Sequence, residues 1–156
     1  MIDFNKLTPK GQSCWPAFRT GGLNKYDHTV LEYAVCRSGS LEQSSKLILL
    51  EILRFQGHRS KSWPSQQTLR GYLSMSEATL RRGLLELHRV RLLCRQRRRK
   101  DPTTKKSKKR GSRGNLYQVQ PPLDVFTADY LKAMLANDYW APDWSSKATF
   151  LCDGRE

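Results

Sequence analysis

Basic side chains are concentrated in one short part of this sequence. Thirteen of its 28 Lys and Arg residues lie between Arg89 and Arg113, where Asp101 is the only acid. Lys and Arg side chains that meet phosphates release condensed counterions, which gives affinity for a polyanion whatever its sequence. The candidate phosphate contacts in this run are Arg95, Arg97, Arg98, Arg99, Lys100, Lys105, Lys106, Lys108, Lys109, Arg110 and Arg113.

The whole chain is basic, but its charge is unevenly spread. The formal net charge is +14 over 156 residues. Residues 40–120 hold 20 basic and five acidic side chains, whereas residues 121–156 hold three basic and six acidic ones. Like charges repel each other in a compact state, so such a field does not help folding. The distribution indicates a polyanionic partner, and nucleic acid is the class it fits best.

The segment before the basic run has the pattern of two short helices joined by a tight turn. The first helix is predicted over residues 65–73 and the second over residues 77–90, with Ser74-Met-Ser76 as the turn. Ser76 is a natural N-cap, because its hydroxyl can accept from an otherwise unpaired amide of the second helix. Three leucines follow helical spacing in that helix and should face the core, namely Leu80, Leu84 and Leu87.

The N-terminal half of the second helix holds the side chains best suited to contact base edges. The corresponding residues of a recognition helix enter the major groove of DNA, where arginine can place two donors on guanine. Glu77 admits two interpretations, since it could stabilise the positive end of the helix dipole or accept from a cytosine amine. For the arginines, the alternative is an ordinary solvated helix face. The candidate base contacts are Ser76, Glu77, Ala78, Thr79, Arg81 and Arg82.

The first helix of the pair offers short polar groups at its start. A helix N-terminus has unpaired amides, and these can fix the register of a protein on the DNA backbone. Ser65, Gln66 and Gln67 are the candidates for such phosphate contacts. For Ser65, ordinary capping of the helix is an equally good interpretation.

Two segments with strand character flank the basic run. Leu92–Cys94 begins a strand, and Leu116–Val119 alternates as a returning strand. Residues 100–113 contain almost no apolar group, so we expect them to be mobile without a ligand. Lys61–Trp63 is a candidate for a small additional strand, and the Trp63 side chain is then expected to be buried in the core beside it. A helix-turn-helix followed by a basic hairpin predicts a winged helix-turn-helix, a mostly α fold with a small β-hairpin (α+β).

We predict three regions along the chain. An N-terminal extension covers residues 1–42, the winged helix-turn-helix domain covers residues 43–120, and a C-terminal helix and tail cover residues 121–156. The break at Pro121-Pro122 closes the domain. Within the N-terminal extension, residues 30–35 fit one face of a short helix and also fit a strand, and we favour the helix.

The winged domain opens with a predicted helix over residues 43–56. This segment is apolar nearly all round, which is typical of a helix that is buried on more than one side. Ser44 or Ser45 is predicted to cap its start, and Gly57 is predicted to end it.

The predicted C-terminal helix is amphipathic. Phe126, Tyr130 and Met134 form one apolar row, and Asp124 or Thr127 is the predicted cap. The row could pack on the domain core or pair with its copy in a homodimer. We favour the homodimer, because a dimer lets two recognition helices span neighbouring turns of DNA.

The sequence does not suggest an enzyme or a metal protein. It has no plausible catalytic triad, paired-carboxylate site or glycine-rich phosphate loop, and His28, His58 and His88 are isolated. None of the four cysteines forms a C-x-x-C pair, so neither a zinc finger nor any cofactor is expected. No apolar run approaches the length of a membrane span. We therefore predict no membrane contact and a location in the bacterial cytoplasm, associated with the nucleoid or a plasmid.

Residues from about Lys46 to Val119 resemble the winged helix-turn-helix domains of bacterial plasmid and phage replication initiators and related regulators. The resemblance implies that the helix pair lies on DNA and that the wing returns through its last matching stretch. The tip, residues 100–113, is unusually long for this pattern. The matching stretches are Trp63-Pro-Ser-Gln-Gln-Thr-Leu69, Leu73-Ser-Met-Ser76, Thr79-Leu-Arg-Arg82 and Asn115-Leu-Tyr117.

These observations favour sequence-specific binding to double-stranded DNA by a protein of a phage, plasmid or other mobile element. Such a protein would act in replication initiation or transcription regulation, with the corresponding machinery as a partner. The alternative is a nonspecific, architectural nucleic-acid binder driven by the basic wing. A third class is an RNA-binding or adaptor protein. The basic run contains no interleaved aromatic side chains, and this opposes stacking on single strands.

Overall fold

The computed structural model describes residues 3–11, 15–97, 115–135 and 149–152. Within these ranges the chain forms six α-helices, a short 3-10 helix and one pair of strands. None of these helices has the length and apolar character needed to span a bilayer. In chain order the elements are the 3-10 helix Phe4–Lys6, α1 Lys25–Arg37, α2 Gln43–Gln56, α3 Gln66–Leu73, α4 Glu77–Arg89, β1 Leu93–Arg97, β2 Asn115–Val119, α5 Pro122–Val125 and α6 Ala128–Leu135.

The central helix α2 follows its predicted bounds and packs against α1, α3, α4 and β2, as its apolar sequence predicts. Gly57 ends it with a φ of +51°, a conformation that glycine adopts readily. The predicted serine cap is wrong, because Glu42 stands at the N-cap position and makes no side-chain cap. Ser45 is instead buried and faces α4. Leu47 and Phe55 remain 45% and 37% exposed on the solvent side.

The predicted helix-turn-helix is confirmed as α3, the turn Ser74-Met-Ser76 and α4. Ser65 Oγ accepts from the Thr68 amide at 3.0 Å, and this bond caps α3. Ser76 Oγ accepts from the Thr79 amide at 3.2 Å and caps α4 in the same way. Ser74 turns the chain between them with a left-handed φ of +51°. The three leucines predicted to face the core are fully buried, namely Leu80, Leu84 and Leu87.

β1 and β2 form the predicted hairpin, with Leu93 opposite Val119 and Arg97 opposite Asn115 in an antiparallel register. Tyr117 of β2 is fully buried beneath the hairpin. The tip between the strands, residues 98–114, lies outside the described residues. The expected mobility of residues 100–113 therefore stays a prediction.

The predicted small strand Lys61–Trp63 is reduced to a single bridge. Ser62 exchanges two backbone hydrogen bonds with Tyr117, at 2.9 and 2.8 Å, and only this residue extends the sheet. Trp63 does not plug the core, which corrects that prediction, because its side chain is 46% exposed. Ser62 is the residue that faces the core here, at 3% exposed, and successive side chains of a strand point to opposite faces, so Trp63 points outward.

Both flanking regions contribute to the same hydrophobic core as the helix-turn-helix. Residues 30–35 are helical within α1, as favoured, and the predicted apolar face of Val30, Leu31, Ala34 and Val35 is fully buried. Tyr130 Oη donates to the Ala34 carbonyl at 2.8 Å, which fixes α6 on α1. Phe126, Tyr130 and Met134 are each 1% exposed. The interpretation of this row as a dimer surface is therefore wrong, because the row packs in the chain's own core.

The two predicted caps of the C-terminal helix have different roles. Thr127 Oγ1 accepts from the Tyr130 amide at 3.3 Å and so serves as the cap of α6. Asp124 Oδ1 accepts instead from the Gly11 amide at 2.7 Å, which ties the N-terminal segment to α5.

Replacing Tyr130 tests whether α6 belongs to the core. Tyr130→Ala should lower the free energy of unfolding by about 3 kcal/mol or more, because it leaves a cavity and removes a buried hydrogen bond. Tyr33→Ala is the matched control, since Tyr33 lies on α1 but is 48% exposed, and it should cost far less. Urea denaturation followed by circular dichroism measures both changes. Equal losses would contradict the docking of α6 on α1.

Candidate nucleic-acid interface

The predicted base contacts share one exposed face at the start of α4. Glu77, Ala78, Arg81 and Arg82 are exposed, and Thr79 is partly buried. They face solvent because the leucines on the opposite side of the helix are locked into the core. Ser76 also lies at this end, but its hydroxyl is already engaged with the Thr79 amide and, at 2.9 Å, with Thr79 Oγ1.

Both arginines of this face are held by carboxylates of the same chain. Arg81 Nη2 lies 2.6 Å from Glu77 Oε1, one helical turn earlier. Arg82 Nε lies 3.5 Å from Glu42 Oε2, at the start of α2. All four side chains are at least half exposed. Exposed ion pairs of this kind contribute only about 0–1 kcal/mol, so a phosphate or a base edge can displace them. Glu77 therefore has a role that neither sequence interpretation included, since it orients Arg81.

A carboxylate that the sequence did not single out fixes α4 to α2. Glu86 Oε2 accepts from the Ser45 hydroxyl, and Glu86 Oε1 accepts from the Glu42 amide at 3.3 Å. These bonds hold the start of α2, including the carboxylate that pairs with Arg82, against α4. No local signal could have revealed them, because the partners are more than 40 residues apart in sequence.

The start of α3 lies close to the surface, as a phosphate contact requires. Ser65 is occupied by capping, and its hydroxyl also lies 2.8 Å from Thr68 Oγ1. Gln67 is exposed, and Gln66 is partly buried. The three residues predicted to contact DNA phosphates thus lie together at one helix end. Capping is confirmed as a role of Ser65.

The hairpin presents two of the predicted basic contacts within the described residues. Arg97 is exposed at the outer end of β1, and Arg95 is partly buried beside it. The remaining members of the basic run lie outside the described residues, namely Arg98, Arg99, Lys100, Lys105, Lys106, Lys108, Lys109, Arg110 and Arg113.

Residues 15–19 of the N-terminal region contact the base of the hairpin, which the sequence did not predict. We call this segment the brace. The Arg19 amide donates to Gln118 Oε1 at 2.7 Å, and Gln118 Nε2 donates back to the Arg19 carbonyl at 3.0 Å. The Arg19 side chain is only 5% exposed. Burial lowers the pKa of this guanidinium, while the charges of Asp27 and Asp124 act in the opposite direction. The segment before α1 therefore helps to fix β2.

The same brace reaches β1 and the turn before it. Cys94 Sγ donates to the Pro16 carbonyl at 2.8 Å. The Arg91 guanidinium lies over the Trp15 ring, 4.7 Å from its centroid, and this is a cation–π geometry. Residues 15–19 thus span the back of the hairpin and hold its base against the end of α4.

The central part of the chain matches a known domain family. Residues 39–93 match the model of a helix-turn-helix domain, which covers α2, α3 and α4. Among solved structures, the chain is similar to a possible transcriptional regulator from Methanosarcina mazei Go1. The two share 15% sequence identity with a TM-score of 0.38, over 69% of this chain and 72% of the other. Comparison with curated proteins gives no match.

The family match, the capped α3–α4 pair and the adjoining β-hairpin define a winged helix-turn-helix domain. Folds of this class bind DNA, and in this chain α4 lies at the position of their recognition helix and the hairpin from β1 to β2 lies at the position of their wing. The fold class predicted from the sequence is confirmed.

The cap of the recognition helix can be tested by substitution. Ser76→Ala should lower the free energy of unfolding by about 1 kcal/mol, because the Thr79 amide loses its acceptor. Ser76→Asp should retain most of the stability, since a carboxylate also accepts from this amide and suits the helix dipole. Thermal denaturation compares the variants. If Ser76→Ala were as stable as the unchanged protein, the hydroxyl would not act as the cap.

Cys94 reports on the brace through its reactivity. Burial raises the pKa of the Cys94 thiol from 9.0 to about 11, and the thiolate is the form that reacts. In the folded protein, iodoacetamide should modify the exposed Cys36 far faster than Cys94. In the unfolded chain the Cys94 thiol ionises first, so its contribution to stability is present below about pH 9 and declines towards pH 11.

Alkylation followed by peptide mass spectrometry measures the relative reactivity of the two thiols. Cys94→Ala is the control for the pH dependence, because it should remove this part of the loss of stability at alkaline pH. Modification of Cys94 at the rate of Cys36 in the native protein would contradict the brace.

Proposed function

We propose that this chain binds double-stranded DNA sequence-specifically, with the first half of α4 in the major groove. The observation that supports this most directly is the exposed face of α4, where Arg81 and Arg82 are held only by solvent-exposed ion pairs. A guanidinium that forms two hydrogen bonds with guanine contributes about 1–3 kcal/mol of discrimination. An exposed ion pair contributes only about 0–1 kcal/mol, so giving it up on binding would cost little.

The neighbouring elements would supply contacts to the DNA backbone. The first amides of α3 and the exposed Gln67 lie together at the start of this helix. They would bind a DNA phosphate as other helix N-termini do. Gln66 and Ser65 complete this end. Arg95 and Arg97 of the wing, with the basic residues up to Arg113, would contact phosphates or the minor groove. In this proposal the backbone contacts fix the register and α4 selects the sequence.

Glu77 would contribute to selectivity in two ways. It would hold the Arg81 guanidinium close to the start of α4 before DNA arrives. The Glu77 carboxylate would also lie beside the groove, where phosphates repel it. It would be favourable there only opposite a hydrogen-bond donor such as a cytosine amine. Ala78 and Thr79 beside it offer small apolar and hydroxyl groups that suit a thymine methyl or a phosphate.

We further propose that this binding serves replication initiation or transcription regulation in a phage, plasmid or other mobile element in the bacterial cytoplasm. Either process needs specific recognition of a duplex site, and the same interface would serve both. A homodimer on an inverted repeat is the predicted arrangement, although its surface must be other than the buried row on α6. The second candidate, a nonspecific architectural binder, is favoured by the net charge of +14 and the basic run.

Selection of bound duplexes from a random pool at physiological salt tests the proposal. An enriched motif would establish specific recognition, and its symmetry would distinguish a dimer on an inverted repeat from tandem copies. Tight binding without enrichment would assign the main role to the basic wing and refute the specific-reader model.

Substitutions on α4 test which residues select the sequence. Arg81→Ala and Arg82→Ala should each cost about 1–3 kcal/mol of binding free energy on the selected duplex, with a smaller loss on random duplex. Arg89→Ala is the matched control, since it removes the same charge from the exposed far end of α4 and should affect both duplexes alike. Fluorescence anisotropy titrations measure the affinities. Indistinguishable effects of the three substitutions would show that α4 does not read bases.

Deletion of residues 105–110 tests the basic wing in the same anisotropy titrations, for comparison with the substitutions on α4. This change should weaken binding to all duplexes similarly and flatten the dependence of affinity on salt, because phosphate contacts release counterions.

A further inference from the structure

Three exposed aromatic side chains from separate parts of the sequence lie together on one surface. Phe55 at the end of α2 is 37% exposed, Trp63 before α3 is 46% exposed, and Tyr72 near the end of α3 is 69% exposed. The Phe55 and Tyr72 ring centroids are 5.9 Å apart. We call Phe55, Trp63 and Tyr72 with the adjoining Arg54 and Arg59 the aromatic–basic surface.

Two shallow depressions meet at Phe55 on this surface, each of about 270 Å³. Glu51, Arg54 and Tyr72 line the first with Phe55. The second continues past Arg59 and Trp63 to Ser65 and Thr68. The aromatic–basic surface is therefore continuous with the start of α3, where contacts to the DNA backbone are proposed.

Guanidinium groups adjoin the rings in both depressions. The Arg59 guanidinium lies 5.6 Å from the centroid of the Trp63 ring. Arg54, whose side chain is 80% exposed, lies 3.6 Å from the Glu51 carboxylate, which is largely buried. The acid in the first depression is thus paired, and both depressions have a cation at their edge.

Aromatic faces beside cations are the arrangement that binds single-stranded nucleic acid. Bases stack on the rings, and the cations contact the phosphates between them. In a duplex the bases are already stacked on each other and are not available to these side chains. A second copy of this chain is a poor occupant of this surface, because a symmetric contact would bring Arg54 and Arg59 of both copies together. Continuity with the start of α3 favours nucleic acid over an acidic peptide.

We propose that the aromatic–basic surface binds unpaired nucleotides of single-stranded DNA. Bases stack on Tyr72 and Trp63, with Phe55 forming the floor between the two depressions, and Arg54 and Arg59 contact the phosphates. This activity is additional to duplex recognition and uses none of the proposed base contacts of α4. A strand separated next to a bound duplex site could therefore be held on the same protein.

The experiment compares two strands that differ only in their bases. Fluorescence anisotropy measures the affinity of the full chain for labelled oligothymidylate and for an abasic strand of equal length at one salt concentration. Tyr72→Ala and Trp63→Ala should each weaken the binding of oligothymidylate by about fivefold or more, and leave the abasic strand unchanged. Tyr72→Phe should retain the affinity, because it retains the ring.

Tyr33→Ala is the matched control, since this exposed tyrosine also has an arginine guanidinium over its ring but lies on α1. It should leave the affinity for both strands unchanged. Thermal denaturation verifies that each variant is folded. Binding of the selected duplex should survive Tyr72→Ala, which separates this proposal from that of duplex recognition.

Three results would overturn the proposal. Equal losses for oligothymidylate and the abasic strand would show that only charge is involved. Unchanged affinity for oligothymidylate in both alanine variants would show that the rings do not stack on bases. Loss of binding to a glutamate-rich peptide, with oligothymidylate binding unchanged, would assign the surface to a protein partner.

Discussion

The close packing of α4 on α2 is the constraint on which the rest of the structure depends. At Gly83 the two helices approach so closely that a Cβ would collide with the buried Ile48 side chain. The buried Leu80, Leu84 and Leu87 extend this contact along α4, and Glu86 binds the start of α2 at its edge. Once this face of α4 is fixed, the opposite face can only point to solvent.

The same contact determines where the wing lies. α4 ends at Arg89, and β1 begins at Leu93, so only three residues connect them. Arg91 makes this turn with a left-handed φ of +65°, and its guanidinium lies over Trp15. The hairpin therefore starts beside the end of the recognition helix, and the segment before α1 braces it. In this way a contact in the core sets the spacing between the candidate base contacts and the candidate backbone contacts.

On the proposed interface, binding of DNA would replace weak ion pairs between exposed side chains. Glu77 and Glu42 hold Arg81 and Arg82 in exposed positions at little energetic cost. These pairs would order the arginines before DNA arrives, which would lower the entropy lost on binding. The buried Arg19 guanidinium differs from these, because the charges of Asp27 and Asp124 act on it, while the Arg19 backbone amide bonds the Gln118 side chain. Exposed ion pairs suit an exchange of partners, whereas the backbone of Arg19 fixes β2 through Gln118.

Local sequence signals predicted the elements of this protein well. The serine caps of α3 and α4, the spacing of leucines and the alternation of the two strands depend on neighbours within a few residues, so the helix-turn-helix and the hairpin could be placed from sequence. The serine cap predicted for α2 was wrong, because Glu42 stands at that position. Predictions that depended on distant partners failed more often. Trp63 was expected in the core, but the bridge to Tyr117 turns Ser62 inward and therefore Trp63 outward. The Phe126 row was assigned to a dimer, but α1 covers it within the chain.

The sequence by itself determined the class of fold, the position of the recognition helix and the sign of the field around it. These properties follow from local hydrogen bonding, from periodicity and from a count of charges. Only the tertiary structure decided that Glu42 meets Arg82, that residues 15–19 brace the wing, and that Phe55, Trp63 and Tyr72 form one surface. Each of these joins residues that are far apart in the chain or lie on different elements. Their proximity depends on how the elements pack, and no short stretch of sequence records it.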